Sequence, residues 1–169
     1  MHDDTRYWID KLDMAEHPEG GYFAPAYRSR EQIRRECLPD RFPGDRSSVS
    51  CIYYLLEKDG FSAFHRLKSV EIWNFYAGSP LILHILDEYG DLQNRRLGRN
   101  IWEGELLQTV IEPGCWFGAI PEGPEEFSLI GCTVVPGFDY DDFEIASRKN
   151  LVECYPRHRE IIERLTRID

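Results

Sequence analysis

From residue 48 onward the chain breaks into short apolar or alternating runs at 50–56, 61–67, 71–76, 81–86, 92–97, 106–111, 115–120 and 127–135, divided by Gly, Pro, Asp and Asn. Alternation turns successive side chains to opposite faces of a pleated strand, so each run predicts a half-buried strand. Eight strands at such close spacing indicate a sandwich or barrel. Residues 22–28 predict one more strand, and residues 30–47, rich in charge and holding Pro39, Pro43 and Gly44, predict a surface loop. At the start, Trp8, Ile9 and Leu12 recur at helical spacing, which predicts a helix over 5–15 with Thr5 as its N-cap, ending before His17-Pro18-Glu19-Gly20-Gly21. After Pro136-Gly137 comes an aromatic and acidic stretch, 138–146. Then Leu151, Ile161, Ile162 and Leu165 suggest one or two helices interrupted at Pro156.

Composition narrows the class. With 169 residues, 42% hydrophobic and 30% charged, the chain suits one folded domain spanning 1–169. No apolar run approaches the ~18 residues of a membrane helix. The first six residues lack the basic start and apolar core of a signal peptide, so a cytoplasmic location is the expectation. A net charge of -10 argues against nucleic acid and anionic membranes as partners. It leaves room for a small anionic ligand held by a local arginine. Five cysteines without a C-x-x-C pair fit a reduced compartment and encode neither a disulfide framework nor a zinc ribbon.

Two segments carry a resemblance. Residues 60–78 hold Gly60, His65, Leu67, Glu71 and Gly78 and resemble the first cupin motif, whose markers are a glycine, a His-x-His pair, a glutamate and a closing glycine. Glu112-Pro113-Gly114-Cys115-Trp116-Phe117 resembles the second motif, with Phe117 where the last metal-binding histidine stands. Together with residues 17–23, 27–29, 64–69 and 131–139 they make the chain similar to the Cupin_5 branch, from about Leu12 to Thr166. The sequence departs from that branch at Ala24-Pro25-Ala26 and at Asn74.

The resemblance implies an all-β fold, a double-stranded β-helix or jelly-roll barrel with short N- and C-terminal helices, a homodimer, one open pocket and no established reaction. His65, Leu67, Glu71 and Phe117 would fill the four ligand positions, and only two of those residues coordinate metals. No cofactor is therefore expected. If a metal binds, His65 and Glu71 would hold it, with His17 as the available extra ligand.

The alternative role for His65 is general base, with Glu71 orienting it and a tyrosine opposite as acid, a geometry that resembles metal-free sugar-epimerising cupins. Tyr27, Tyr53, Tyr54 and Tyr76 are candidates for the acid, and Tyr53 is taken as the catalytic one. A plain buried hydrogen-bonded pair is the competing reading of His65 and Glu71. Arg28 would hold a phosphate or carboxylate, or else make a surface salt bridge. Trp73 and Phe75 would offer a stacking face or pack in the core, with Phe117 beside them in the pocket. His17, Glu19 and Tyr27 would form the pocket edge. Cys115 reads as a small buried hydrophobe, His84 as a satisfied core histidine, His2 and His158 as surface residues, and residues 139–142 as a solvated acidic run.

The functional expectation is a barrel pocket for a small polar ligand, such as a nucleotide or nucleotide-sugar, with metal-independent epimerase or isomerase activity. The alternatives are a non-catalytic binding protein and a metal-dependent enzyme using His65 and Glu71.

Overall fold

The structure, a computed structural model, describes residues 4–125 and 127–168, so His2 lies outside the described residues. A helix α1 (Thr5–Leu12) leads to strands β1 (Ala15–Glu16) and β2 (Tyr22–Arg28). Then come β3 (Gln32–Ile33), β4 (Arg46–Ser47), β5 (Ser50–Glu57), β6 (Ser62–Leu67) and β7 (Val70–Gly78). Next are β8 (Leu81–Leu86), β9 (Leu92–Leu97), β10 (Gln108–Ile111), β11 (Trp116–Pro121), β12 (Phe127–Val135) and β13 (Phe143–Ile145). Helices α2 (Arg148–Cys154) and α3 (Arg159–Arg164) follow, separated by a 3-10 turn that begins at Pro156. No helix among the described residues is long and apolar enough to cross a membrane.

The strands form a six-stranded sheet in the order β1-β2-β5-β12-β7-β10 and a five-stranded sheet in the order β13-β6-β11-β8-β9, with antiparallel pairing throughout. They face each other as a jelly-roll barrel. Alternation decides what each residue meets. On β7, Trp73 and Phe75 turn inward to Leu81, Leu83, Phe117 and Ile130, and this fills one end of the barrel. On β5, Tyr54 and Leu56 join that core, while Tyr53 and Leu55 turn outward to Met14, Phe127 and Leu129 under α1. The outer face of the second sheet buries Phe64 and Trp116 against Leu151, Val152, Ile162 and Leu165 of the terminal helices. Removing this apolar surface from water is the main force holding the layers, roughly 1.5–3 kcal/mol for each large side chain fully buried.

Several sequence expectations change. The first helix stops at Leu12, where Asp13 takes a left-handed conformation, and its N-cap is Asp4, whose carboxylate accepts the Tyr7 N–H. Residues 15–16 pair with β2 instead of extending the helix. The loop over 30–47 holds the small β3–β4 pair, and the stretch after Pro136 contains β13, paired with β6. His158 is half-buried, with Nε2 at 2.9 Å from the Gly90 carbonyl oxygen.

The acidic run is only partly solvated. Asp142 is buried and receives Nε and Nη2 of buried Arg46 at 2.6 and 2.8 Å. A paired charge is what a buried carboxylate requires, because leaving either partner alone is costly. This bridge pins the segment after Phe138 across one end of the barrel. His84 is held by Asn94, with Nδ1 and Oδ1 at 2.8 Å.

Candidate functional site

Opposite the filled end, the barrel encloses a cavity of about 290 Å³. Its walls come from the C-terminal ends of β2, β6 and β12, the start of β5 and of β7, the loop before β2, and the strap that crosses the mouth after Phe138. Most of this wall is apolar, with Phe23, Ile52, Leu67, Val134 and Phe143 prominent.

The loop at His17 to Gly21 brings two ionisable side chains over the cavity. It closes through His17 N–H to the Gly21 carbonyl at 2.9 Å and Gly20 N–H to the His17 carbonyl at 3.0 Å. Gly20 has φ +114°, and a Cβ there would stand 2.3 Å from the Phe61 carbonyl oxygen, so any side chain would clash with fixed backbone. The turn therefore needs glycine at this position, and Glu19 is delivered into the barrel beside it.

Glu19 is the centre of the polar wall. Ser62 Oγ donates to its Oε1 at 3.0 Å, His65 Nε2 lies 3.0 Å from its Oε2, and His17 Nδ1 lies 3.6 Å from the same oxygen. His65, on β6, also has Nδ1 at 2.7 Å from the Ala63 carbonyl oxygen. Both ring nitrogens thus face acceptors, which only a doubly protonated imidazolium satisfies. The electrostatics agree. Burial alone would lower the His65 pKa, yet the Glu19 charge and hydrogen bond, helped by Glu71, raise it. Burial likewise pushes Glu19 up, and His65 more than reverses this, so Glu19 stays ionised. Glu19 and His65 form a buried ion pair.

His17 behaves differently. Burial outweighs the pull of Glu19 and lowers its pKa, with the His65 charge adding to the effect, so the ring is neutral near pH 7. Its Nδ1 accepts the Glu19 N–H at 3.4 Å, which leaves Nε2 as the protonated nitrogen.

Glu71, at the start of β7, is 6% exposed, lines the cavity and has no hydrogen-bond partner for Oε2. Burial raises its pKa to about 7; the His65 imidazolium opposes the rise, as do the nearby Trp73 N–H and Cys132 thiol more weakly, and the Glu19 charge adds to it. Four ionisable groups therefore line one cavity. The inner two neutralise each other, and His17 and Glu71 remain available.

The expected site residues separate accordingly. His17, Glu19, Tyr27, Arg28, His65 and Glu71 all line the cavity. The partner of His65 is Glu19 rather than Glu71, because the loop before β2 places its carboxylate at Nε2. With both nitrogens committed, His65 has no lone pair to act as a base. Tyr53 is excluded as the acid because strand parity turns it to the outer face, where its ring packs on Tyr76. Trp73 and Phe75 are core residues, and neither lines the cavity. Phe117 is 1% exposed and packs behind His65, ring centroids 4.0 Å apart, outside the cavity wall. Arg28 sits at the rim, where Nη2 donates to the Phe138 carbonyl at 2.6 Å, and it makes no surface salt bridge among the described residues. Cys115 is half-buried, and burial raises its thiol pKa.

Leu67 and Phe117 offer no ligand atom, His65 is fully engaged, and no group of three His, Cys, Asp or Glu among the described residues is arranged to hold an ion.

Sequence reasoning did not single out the aromatic strap. Phe138, Tyr140 and Phe143 line the mouth and stack edge to face, with centroids 5.1–6.3 Å apart. Their spacing after Pro136-Gly137 was visible, but acidic neighbours made the stretch look solvent-facing.

Comparison with known proteins gives a consistent result. The Cupin_5 family, described as a cupin superfamily domain (DUF985), matches residues 6–146. A protein of Shewanella oneidensis, SO0799, is 34% identical and superposes with a TM-score of 0.88, covering 98% of this chain and 99% of its own. A hypothetical protein of Leishmania major is also 34% identical with a TM-score of 0.88, over 96% of this chain and 98% of its own. The uncharacterized yeast protein YML079W is 29% identical over 152 residues, which is 79% of this chain and 71% of that one.

Proposed function

Because this chain belongs to the Cupin_5 (DUF985) family of the cupin superfamily, in which the uncharacterized relatives name no reaction, we propose that its cavity performs metal-independent proton transfer on a small carbonyl compound. The observation that carries this is Glu71: a buried carboxyl on the cavity wall with an unpartnered oxygen and a pKa of about 7.

A general base works best when its pKa lies near the working pH, and burial commonly tunes a glutamate to this range. Glu71 Oε2 takes a proton from the carbon beside the carbonyl. The electrons of that C–H bond form the enolate, and the neutral His17 Nε2–H donates to the oxygen where charge collects. A neutral imidazole as donor next to a glutamate base is a known pairing of roles. Glu71 exchanges that proton with solvent and returns it to the same face, at the same carbon or, where that carbon bears a hydroxyl, at the former carbonyl carbon beside it, which gives exchange or the isomer and restores the carboxylate. The Glu19–His65 pair holds His17 from behind and keeps a balanced charge beside the developing enolate.

The cavity is at the small end of ligand pockets, and its apolar walls suit a compact ligand better than a whole nucleotide or nucleotide-sugar. The test is solvent exchange. Incubated in D2O with butanone, glyceraldehyde or 4-methyl-2-oxopentanoate, the protein is expected to speed loss of the proton signal beside the carbonyl in at least one of them. The rate rises with pH through about 7 as Glu71 ionises, and Glu71→Gln abolishes it. Exchange that survives Glu71→Gln, or no exchange above the buffer rate in any compound, contradicts the proposal.

A further inference from the structure

We infer that the cavity selects a small oxo acid: an anionic head at Arg28, an apolar body along the wall, and a carbonyl between His17 and Glu71. This rests on the proton-transfer reading above and names its substrate class.

Most polar groups of the lining are already taken. Glu19 is occupied by Ser62 and His65, and His65 by Glu19 and Ala63. Ser50 Oγ accepts the Phe138 N–H at 2.8 Å, and Cys51 Sγ contacts Thr133 Oγ1 at 3.4 Å. Left over are His17 and Glu71 inside and, among exposed residues of the lining, the Tyr27 and Tyr140 hydroxyls and the Arg28 guanidinium, which has donors beyond the one bound to Phe138. Between them lie Phe23, Ile52, Leu67 and Val134.

A polyol would bury several hydroxyls against that wall with no partner, and each unpaired hydroxyl is costly. An apolar body loses nothing there. One carbonyl is all that His17 and Glu71 can serve. An arginine fork matches a carboxylate in shape and charge, and a cation at the rim of a chain of net charge -10 lets an anion approach where the rest of the surface repels it.

Calorimetric titration tests this with three probes: 4-methyl-2-oxopentanoate, its uncharged ethyl ester, and ribulose 5-phosphate. The oxo acid is expected to bind at least tenfold more tightly than the other two. Arg28→Ala removes about tenfold of that affinity and leaves the ester unchanged, and Arg28→Lys recovers part of the loss. Equal binding of acid and ester, or tighter binding of ribulose 5-phosphate, overturns the inference. The two proposals fail separately. Glu71-dependent exchange in butanone without oxo-acid binding overturns only the substrate class, whereas Arg28-dependent oxo-acid binding without exchange in any compound upholds the class and overturns the proton transfer.

Discussion

Glu19→Ala is expected to destabilise the protein by about 3–5 kcal/mol near pH 5.5, measured by urea denaturation, because it strips the counter-ion from a buried imidazolium. The loss depends on pH in a definite direction. The His65 pKa is raised in the fold, so its contribution is fully present below the ordinary histidine value of 6.5 and disappears as pH rises through the folded value. The Glu19 pKa is lowered, so its contribution is present above 4.5 and fades as pH falls through the folded value. The pair is therefore worth most between about pH 4.5 and 6.5. In the variant, burial drives the proton off His65, so at pH 8.5 the cost shrinks toward that of an unfilled space and lost hydrogen bonds. A cost that does not change with pH would show that His65 is neutral in the native protein.

Glu71→Gln has the opposite sign. A carboxyl raised from 4.5 to about 7 prefers to be protonated in the fold, so the native state loses stability as pH climbs between those values and stays weakened above them. At ~1.4 kcal/mol for each tenfold change in the proton equilibrium, the handicap at pH 8 is about 3 kcal/mol. The glutamine variant carries no such charge. It should be more stable than the parent by about 3 kcal/mol at pH 8 and no more stable at pH 4.5. Gain of stability on loss of a buried unpaired group is the mark of a site kept for function at the expense of the fold. A variant less stable than the parent at pH 8 would mean that Glu71 is a structural residue with a partner.

Much of the fold was legible because strand alternation is strong in this chain. Residues 22–28, 81–86, 92–97 and 127–135 are strands with those bounds, and Pro156 separates the terminal helices. The cupin motifs placed His65 and Glu71 on facing strands with their side chains inward, and both line the cavity. What the spacing could not show was partnership. Glu71 lies six positions from His65, across the turn that carries the chain from one sheet to the other, yet the ion pair is made by Glu19, which reaches His65 only because Gly20 lets the distant loop fold over the barrel. Parity misled at Tyr53, where two adjacent tyrosines left open which one faced inward, and the outward one was chosen. Trp73 and Phe75 share the inward face of Glu71 but lie deeper, and depth along a strand is set by the packing of the facing sheet, which no local pattern encodes. Asp4 displaced Thr5 as the cap for a local reason, since its carboxylate reaches the Tyr7 N–H.

Proton transfer in this cavity depends on one group titrating where an ordinary glutamate does not. Carbon-13 NMR of protein labelled at the glutamate carboxyls, followed from pH 3 to 9, reads this directly, with the resonance assigned by its absence in Glu71→Gln. A carboxyl titrating near 7 is the expected result. A Glu71 resonance that titrates at or below 4.5 would contradict the account, since a carboxylate so easily ionised has a partner in the fold and is no base poised for proton transfer.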